Sequence, residues 1–268
     1  MFCFQLTGSN TYYKRILFFF TCTNIITLFK KQKSHQYVTN PFIAINKRVF
    51  HDDAFNNCSC FLNRIRIEFR RVKSSIGPVN CRFQCSCIAK GLFGIEKFWH
   101  KRIVRTGTNT LAPYDENPPD LIIQKDDIIF FDFGPLIEEW EADFGRTYVL
   151  GNDPLKHKLV KDIEAAWHEG YDWFHKHTTL TCSEYFWYID GLAKKLGYTQ
   201  GNHLAGHLIG HFPHERLAPG EYGLWVHPEN HIDMFAPDAN GNKRHWILEL
   251  HFVDKEKQIG AFFEQLLT

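Results

Sequence analysis

Five residues of metal-ligand type, Asp132, Asp143, His207, Glu249 and Glu264, interrupt the apolar segments of the second half of this chain. Asp132 lies within IIFFDFGP, Ile128 to Pro135, where a strand would be apolar on both faces. Glu249 lies within HWILELHFV, His245 to Val253, and Glu264 within IGAFFEQLL, Ile259 to Leu267. A carboxylate in such a setting costs several kcal/mol unless it is paired or bound to a cation. Four carboxylates converging with a histidine would be untenable without metal. A chain with this pattern therefore has to fold so that its acids meet a compensating charge, and a metal centre is the leading expectation.

At 268 residues the sequence is long enough for one large domain or two small ones. Its net charge of +1 and the lack of a long basic stripe argue against a nucleic-acid partner. Seven of the eight cysteines (Cys3, Cys22, Cys58, Cys60, Cys81, Cys85 and Cys87) fall at or before position 87, where Gly and Ala are scarce and no periodicity persists. The reading is an irregular, low-order extension over residues 1–87, followed by an ordered domain over 88–268. Cys81, Cys85 and Cys87 have no paired CxxC spacing of the kind a zinc site uses. Ile16 to Phe29 resembles a signal-peptide core, but Thr, Cys and Asn break it, no convincing cleavage site follows, and it is too short to span a membrane. No membrane partner is expected. Cys182, the only cysteine after position 87, fits a reducing cytosol, so a cytoplasmic location is expected.

The later region reads as a mixture of strands and helices. Strands are expected at Lys97 to Arg105, Ile128 to Phe133 and Asp143 to Leu150. A helix should start at Asn152 or Asp153, with Pro154 at its favoured first position and Leu155, Leu159, Ile163, Ala166, Trp167 and Phe174 at helical spacing. A second helix opens with the capping box Thr181-x-x-Glu184 and stops before Gly197, with Phe186, Ile189, Ala193 and Leu196 as its buried stripe. After an Asn240-Gly241 turn, His245 to Val253 and Ile259 to Leu267 should form an antiparallel pair. Period two puts Ile247, Glu249 and His251 on one face of the first of them.

Asp132 and Asp143 are eleven positions apart on neighbouring strands and can point at one spot. His207 lies in AGHLIGHFPHE beside His203, His211 and His214. Gly206 and Gly210 speak against a helix there, and the glutamate of an HExxH helix is missing, so a loop or strand presenting His207 and His214 separately fits better.

The order Asp, Asp, His, His, Glu, Glu resembles the pita-bread metallopeptidases, which include methionine aminopeptidases, Xaa-Pro aminopeptidases, prolidases and creatinase. The resemblance runs from about Phe93 to Thr268. It rests on DFG(x)8D, on GHLIGHFPHE, on ILE at Ile247 to Glu249 and on the final FFE, while WHKRIVRTG and EEWEADFGRTYVLG resemble a bacterial branch of Xaa-Pro-peptidase-like proteins. It implies an α+β pita-bread fold, a curved antiparallel sheet with covering helices. The family's N-terminal helices are expected to be missing, leaving the sheet incompletely covered.

The resemblance further implies a two-metal aminopeptidase cleaving the N-terminal residue of peptides, Xaa-Pro peptides first, through a hydroxide bridging the ions. Asp132 would chelate one ion, His207 and Glu249 the other, and Asp143 and Glu264 would bridge them. Mn2+ or Co2+ is favoured, with Fe2+ and Zn2+ as alternatives. Glu249 would shuttle the proton and His214 would stabilise the tetrahedral intermediate.

Three departures from the family pattern stand out. No histidine occurs near Ala112-Pro113-Tyr114, where the family usually carries one for substrate, which leaves His251 or His100 for that role, His251 being the better candidate. Leu250 follows Glu249 in place of proline, and Leu208 stands beside His207 in place of glycine. A creatinase-like C–N substrate, a non-catalytic peptide- or protein-binding module, a truncated inactive derivative and a homodimer therefore stay open.

Overall fold

The computed structural model describes residues 78–137, 140–210 and 223–268. The extension up to residue 77, with its Ile16 to Phe29 segment, and the expected catalytic His214 lie outside the described residues.

Seven strands form one sheet in the order β1-β2-β5-β9-β8-β6, with β7 also pairing to β8. They are β1 (Ile103–Thr106), β2 (Ile128–Phe133), β5 (Phe144–Val149), β6 (Thr199–Gln200), β7 (Gly206–Ile209), β8 (His245–Asp254) and β9 (Ile259–Leu266). Every pairing within it is antiparallel. A separate two-stranded ribbon joins β3 (Leu136–Ile137) to β4 (Trp140–Glu141). Helix α1 (Pro78–Phe93) precedes the sheet, and α2 (Pro154–Phe174) and α3 (Cys182–Lys195) follow β5.

The local chemistry explains the boundaries of α2 and α3. The Asp153 side chain accepts from the Leu155 and Lys156 amides at the start of α2, which places Pro154 where its missing N–H costs nothing. Thr181 and Glu184 form the reciprocal capping box of α3, and Gly197 beyond its end takes φ +85°, a conformation that costs glycine little. Leu159, Ile163, Ala166, Trp167 and Phe174 face inward from α2, whereas Leu155 is half exposed. With Tyr185, Phe186, Ile189 and Ala193 of α3 they cover Trp246, Leu248, Leu250 and Phe252 of β8 and Ala261 and Phe263 of β9. Each large side chain buried here contributes about 1.5–3 kcal/mol. The Trp167 indole also donates to the Leu248 carbonyl at 2.9 Å, tying α2 to the middle of β8.

Helix α1 corrects one expectation. It is helical from Pro78, inside the segment read as irregular, and Cys81, Cys85 and Ala89 are buried along one side of it. They join Val104 of β1, Ile129, Phe131 and Phe133 of β2 and Phe144 of β5 in a second core. Helix α1 therefore supplies cover over β1, β2 and β5. Among the described residues the three thiols of α1 and that of Cys182 form no disulfide.

The strand expected over Lys97 to Arg105 is also shorter. Only Ile103 to Thr106 pair as β1, while the earlier residues bond to the β2–β3 corner, with the Trp99 amide donating to the Gly134 carbonyl at 2.9 Å. That diversion carries Trp99 and His100 away from the sheet edge.

Candidate metal centre

Strand register assembles the acids. Asp132 stands opposite Gly145, Gly145 opposite Glu264, and Glu264 opposite Glu249, one row across β2, β5, β9 and β8. Side chains directly opposite one another share a sheet face, and this face is the one that α2 and α3 do not cover. Asp143, two residues before Gly145, completes the set of carboxylates. Gly145 itself cannot be enlarged, because a Cβ there would come within 2.3 Å of the Phe262 ring.

All four carboxylates and His207 are buried, with exposures of 2–6%. Asp143 is the hub. Its Oδ1 accepts from the Phe144 amide at 2.9 Å and from His100 Nε2 at 3.2 Å, while its Oδ2 lies 3.4 Å from His207 Nε2. His207 Nε2 is also 3.5 Å from Glu264 Oε1, and His100 Nε2 is 3.5 Å from Asp132 Oδ1. Two compact triads result, each able to hold an ion: His100, Asp132 and Asp143, and Asp143, His207 and Glu264. Glu249 belongs to neither, and its Oε1 accepts from the buried Asn202 amide at 2.8 Å.

Burial sets the electrostatics. It pushes Asp132 up to about 8, despite the opposing pull of His100, and with Asp143 and Glu249 adding repulsion. Glu249 rises to about 7 for the same first reason, partly offset by His207 and Asn202. Glu264 goes well above the carboxylate range through burial and the three surrounding acids. Asp143 alone is held low, because His100 and His207 outweigh its own desolvation.

The residues fit divalent cations. Glu264 Oε2 is buried and has no hydrogen-bond partner among the described residues, a position that ordinarily costs 1–3 kcal/mol or more for a charged oxygen. Two divalent ions would match four carboxylates in charge, and oxygen donors with imidazole suit Mn2+, Fe2+, Co2+ or Zn2+.

The other expected site residues divide. His100, read as facing substrate, has Nε2 against Asp132 and Asp143. His251 does lie on the Glu249 face, but its Nε2 donates to the Thr110 carbonyl at 2.8 Å, and the backbone of Gly201 engages the ring as well. His207 sits on a strand, as its flanking glycines suggest, and Gly206 (φ +133°) has no room for a Cβ, which would meet the Ile247 carbonyl oxygen at 2.1 Å. Sequence reasoning missed Asn202, which carries no motif, and Trp99. The Trp99 indole donates to the Ala142 carbonyl at 3.0 Å and packs edge-on against both His100 and His207, with ring centroids 4.5 and 5.5 Å away. It also missed Arg105, buried on the same face, which donates to the carbonyls of Ala112, Pro113 (2.8 Å) and Glu116 (2.6 Å) and so fixes the loop that carries Tyr114.

Comparison with known proteins agrees with this geometry. Residues 80–234 match the sequence model of metallopeptidase family M24. Among solved structures, the X-Pro aminopeptidase of Thermotoga maritima is similar at a TM-score of 0.64 and 16% identity, over 82% of this chain and 57% of that one. The prolidase of Pyrococcus horikoshii gives 0.63 and 16%, over 82% and 58%. The methionine aminopeptidase of Rickettsia prowazekii gives 0.57 and 14%, over 87% of this chain and 95% of that one. The chain thus spans under two thirds of the length of the first two. Curated proteins give no match. The family match, the order of the ligand-type residues along the strands and the shared architecture lead to one conclusion: this chain belongs to metallopeptidase family M24 and has its pita-bread fold.

Proposed function

We propose that the protein is a dinuclear-metal-dependent aminopeptidase that removes the N-terminal residue of peptides, with proline after the scissile bond as the preferred substrate. The observation that carries this reading is the row of Asp132, Glu264 and Glu249 with Asp143 beside it, four buried carboxylates of which three share two imidazoles. When bound, two divalent ions supply Lewis acidity and make water nucleophilic at neutral pH.

The chain's own groups account for the rest of the chemistry. Glu249, outside both triads and oriented by Asn202, takes the proton from the attacking water and returns it to the leaving amine. His214 is assigned as the donor to the tetrahedral intermediate. His251, pinned by backbone on both sides, holds the floor of the substrate pocket. Ile103, Phe130 and Phe262 form an apolar cluster next to the acids, a surface on which a prolyl ring can rest with little polar loss.

Among the described residues no helix is long and apolar enough to cross a membrane, and the free thiol of buried Cys182 fits a cytoplasmic protein. The test is release of the N-terminal residue from Xaa-Pro peptides, with and without added Mn2+ or Co2+. His214→Ala should leave metal content unchanged and lower turnover about 10²-fold. A fully active His214→Ala variant would remove that residue from the mechanism.

A further inference from the structure

We propose that His100 is itself a metal ligand, so that each ion position takes one imidazole: His100 with Asp132 and Asp143, and His207 with Asp143 and Glu264. The inference rests on the reading of this cluster as a metal centre and adds a residue to it.

The two histidines are presented in the same way. In both, Nδ1 donates to the carbonyl of the next residue, Lys101 for His100 at 2.7 Å and Leu208 for His207 at 3.0 Å. That bond holds Nδ1 on the backbone and turns Nε2 of each ring towards the acids, the presentation typical of imidazoles that bind metal. In both, Nε2 then points at Asp143, at 3.2 Å and 3.4 Å, and at one further acid at 3.5 Å. Both side chains are 5% exposed. His251 supplies the contrast, since backbone groups of Thr110 and Gly201 engage its ring.

The surroundings of His100 make room for this role. A Cβ at Gly134 would lie 2.0 Å from His100 Cδ2, 2.3 Å from Nε2 and 2.4 Å from Trp99 Nε1. The glycine two residues beyond Asp132 is therefore the space that the ring occupies. Trp99, anchored to the Ala142 carbonyl, backs both imidazoles and limits how far either can swing. Without His100, the ion beside Asp132 would see carboxylate oxygens alone from these triads. With it, both positions carry mixed nitrogen and oxygen donors, which moves preference away from hard ions such as Mg2+ and towards Co2+, Fe2+ or Zn2+.

X-ray absorption on the full chain loaded with two equivalents of Co2+ tests this, because imidazole ligands give a countable outer-shell signal. The expected result is two imidazoles per pair of ions in the unaltered protein and one in His100→Gln, with His100→Gln binding one of its two ions at least about 10-fold more weakly in calorimetric titration. His207→Gln should lose the other imidazole. Two bound ions with one imidazole between them, or an unchanged count in His100→Gln, would overturn the assignment of His100 and leave the metal centre standing. Absence of any Co2+ binding would overturn both. The count on the unaltered protein does not depend on whether either variant folds.

Discussion

The two faces of β8 and β9 do opposite things with the same backbone. Towards α2 and α3, Trp246, Leu248, Leu250, Phe252, Ala261 and Phe263 form a dry core. Towards the other side, Glu249, His251 and Glu264 alternate with them, and three of the nearby acids are raised by burial. Period-two geometry makes this division possible. One face gains free energy from burial, and the other holds polar groups at a cost that bound cations would relieve. Stability and chemistry can therefore be perturbed separately, although neighbouring residues carry them.

The largest effect should come from Asp143→Ala, which removes the hub of both triads. Two-metal binding should be abolished and activity should fall at least about 10³-fold, equivalent to about 4 kcal/mol in the barrier. Metal analysis alongside turnover checks it. On the opposite face, Trp246→Ala should cost about 3–5 kcal/mol of stability in urea unfolding, because the side chain is fully buried and its indole donates to the Met234 carbonyl at 2.9 Å. If Trp246→Ala changed metal affinity while leaving stability intact, the separation of the faces would fail.

A subtler effect concerns His251. Burial lowers its pKa from 6.5 to about 4, with the Thr110 carbonyl opposing and Arg105 reinforcing the shift. Between those values the unfolded chain binds a proton that the folded chain refuses, so stability must fall as pH drops from about 6.5 towards 4. The loss is up to about 3 kcal/mol, and His251→Gln should flatten the difference between unfolding curves taken at the two ends of that window.

The smallest effect is expected for Glu264→Gln in chelator-treated protein. Its carboxyl is pushed well above the usual range and its Oε2 has no partner among the described residues. Replacing it with an amide should change metal-free stability by only about 1 kcal/mol, yet weaken metal binding severely. A large loss of metal-free stability would mean that the acid has a structural role.

Much of this was legible before any coordinates. The acids declared themselves because each interrupts an apolar strand, and Thr181-x-x-Glu184 and Asp153-Pro154 marked helix starts through local chemistry that tertiary packing did not override. Helix α1 was hidden for a physical reason. Its buried stripe is Cys81, Cys85 and Ala89, small side chains with weak hydrophobic contrast, while Phe83 on the same helix is 69% exposed. The strand expected from Lys97 was wrong in its first half because Trp99 and His100 are spent on the site and not on sheet pairing. His100 itself could not be placed by period, since no regular element carries it. Asn202 acts through a contact 47 positions away, which no local pattern records.

The central claim is that these carboxylates exist to hold two ions. Metal per chain, measured by atomic emission on the purified full-length protein after loading with Mn2+ or Co2+ and removal of excess, tests it most directly. The account predicts close to two ions per chain, falling to none in Asp143→Ala. A folded protein that binds no ion under those conditions would contradict it.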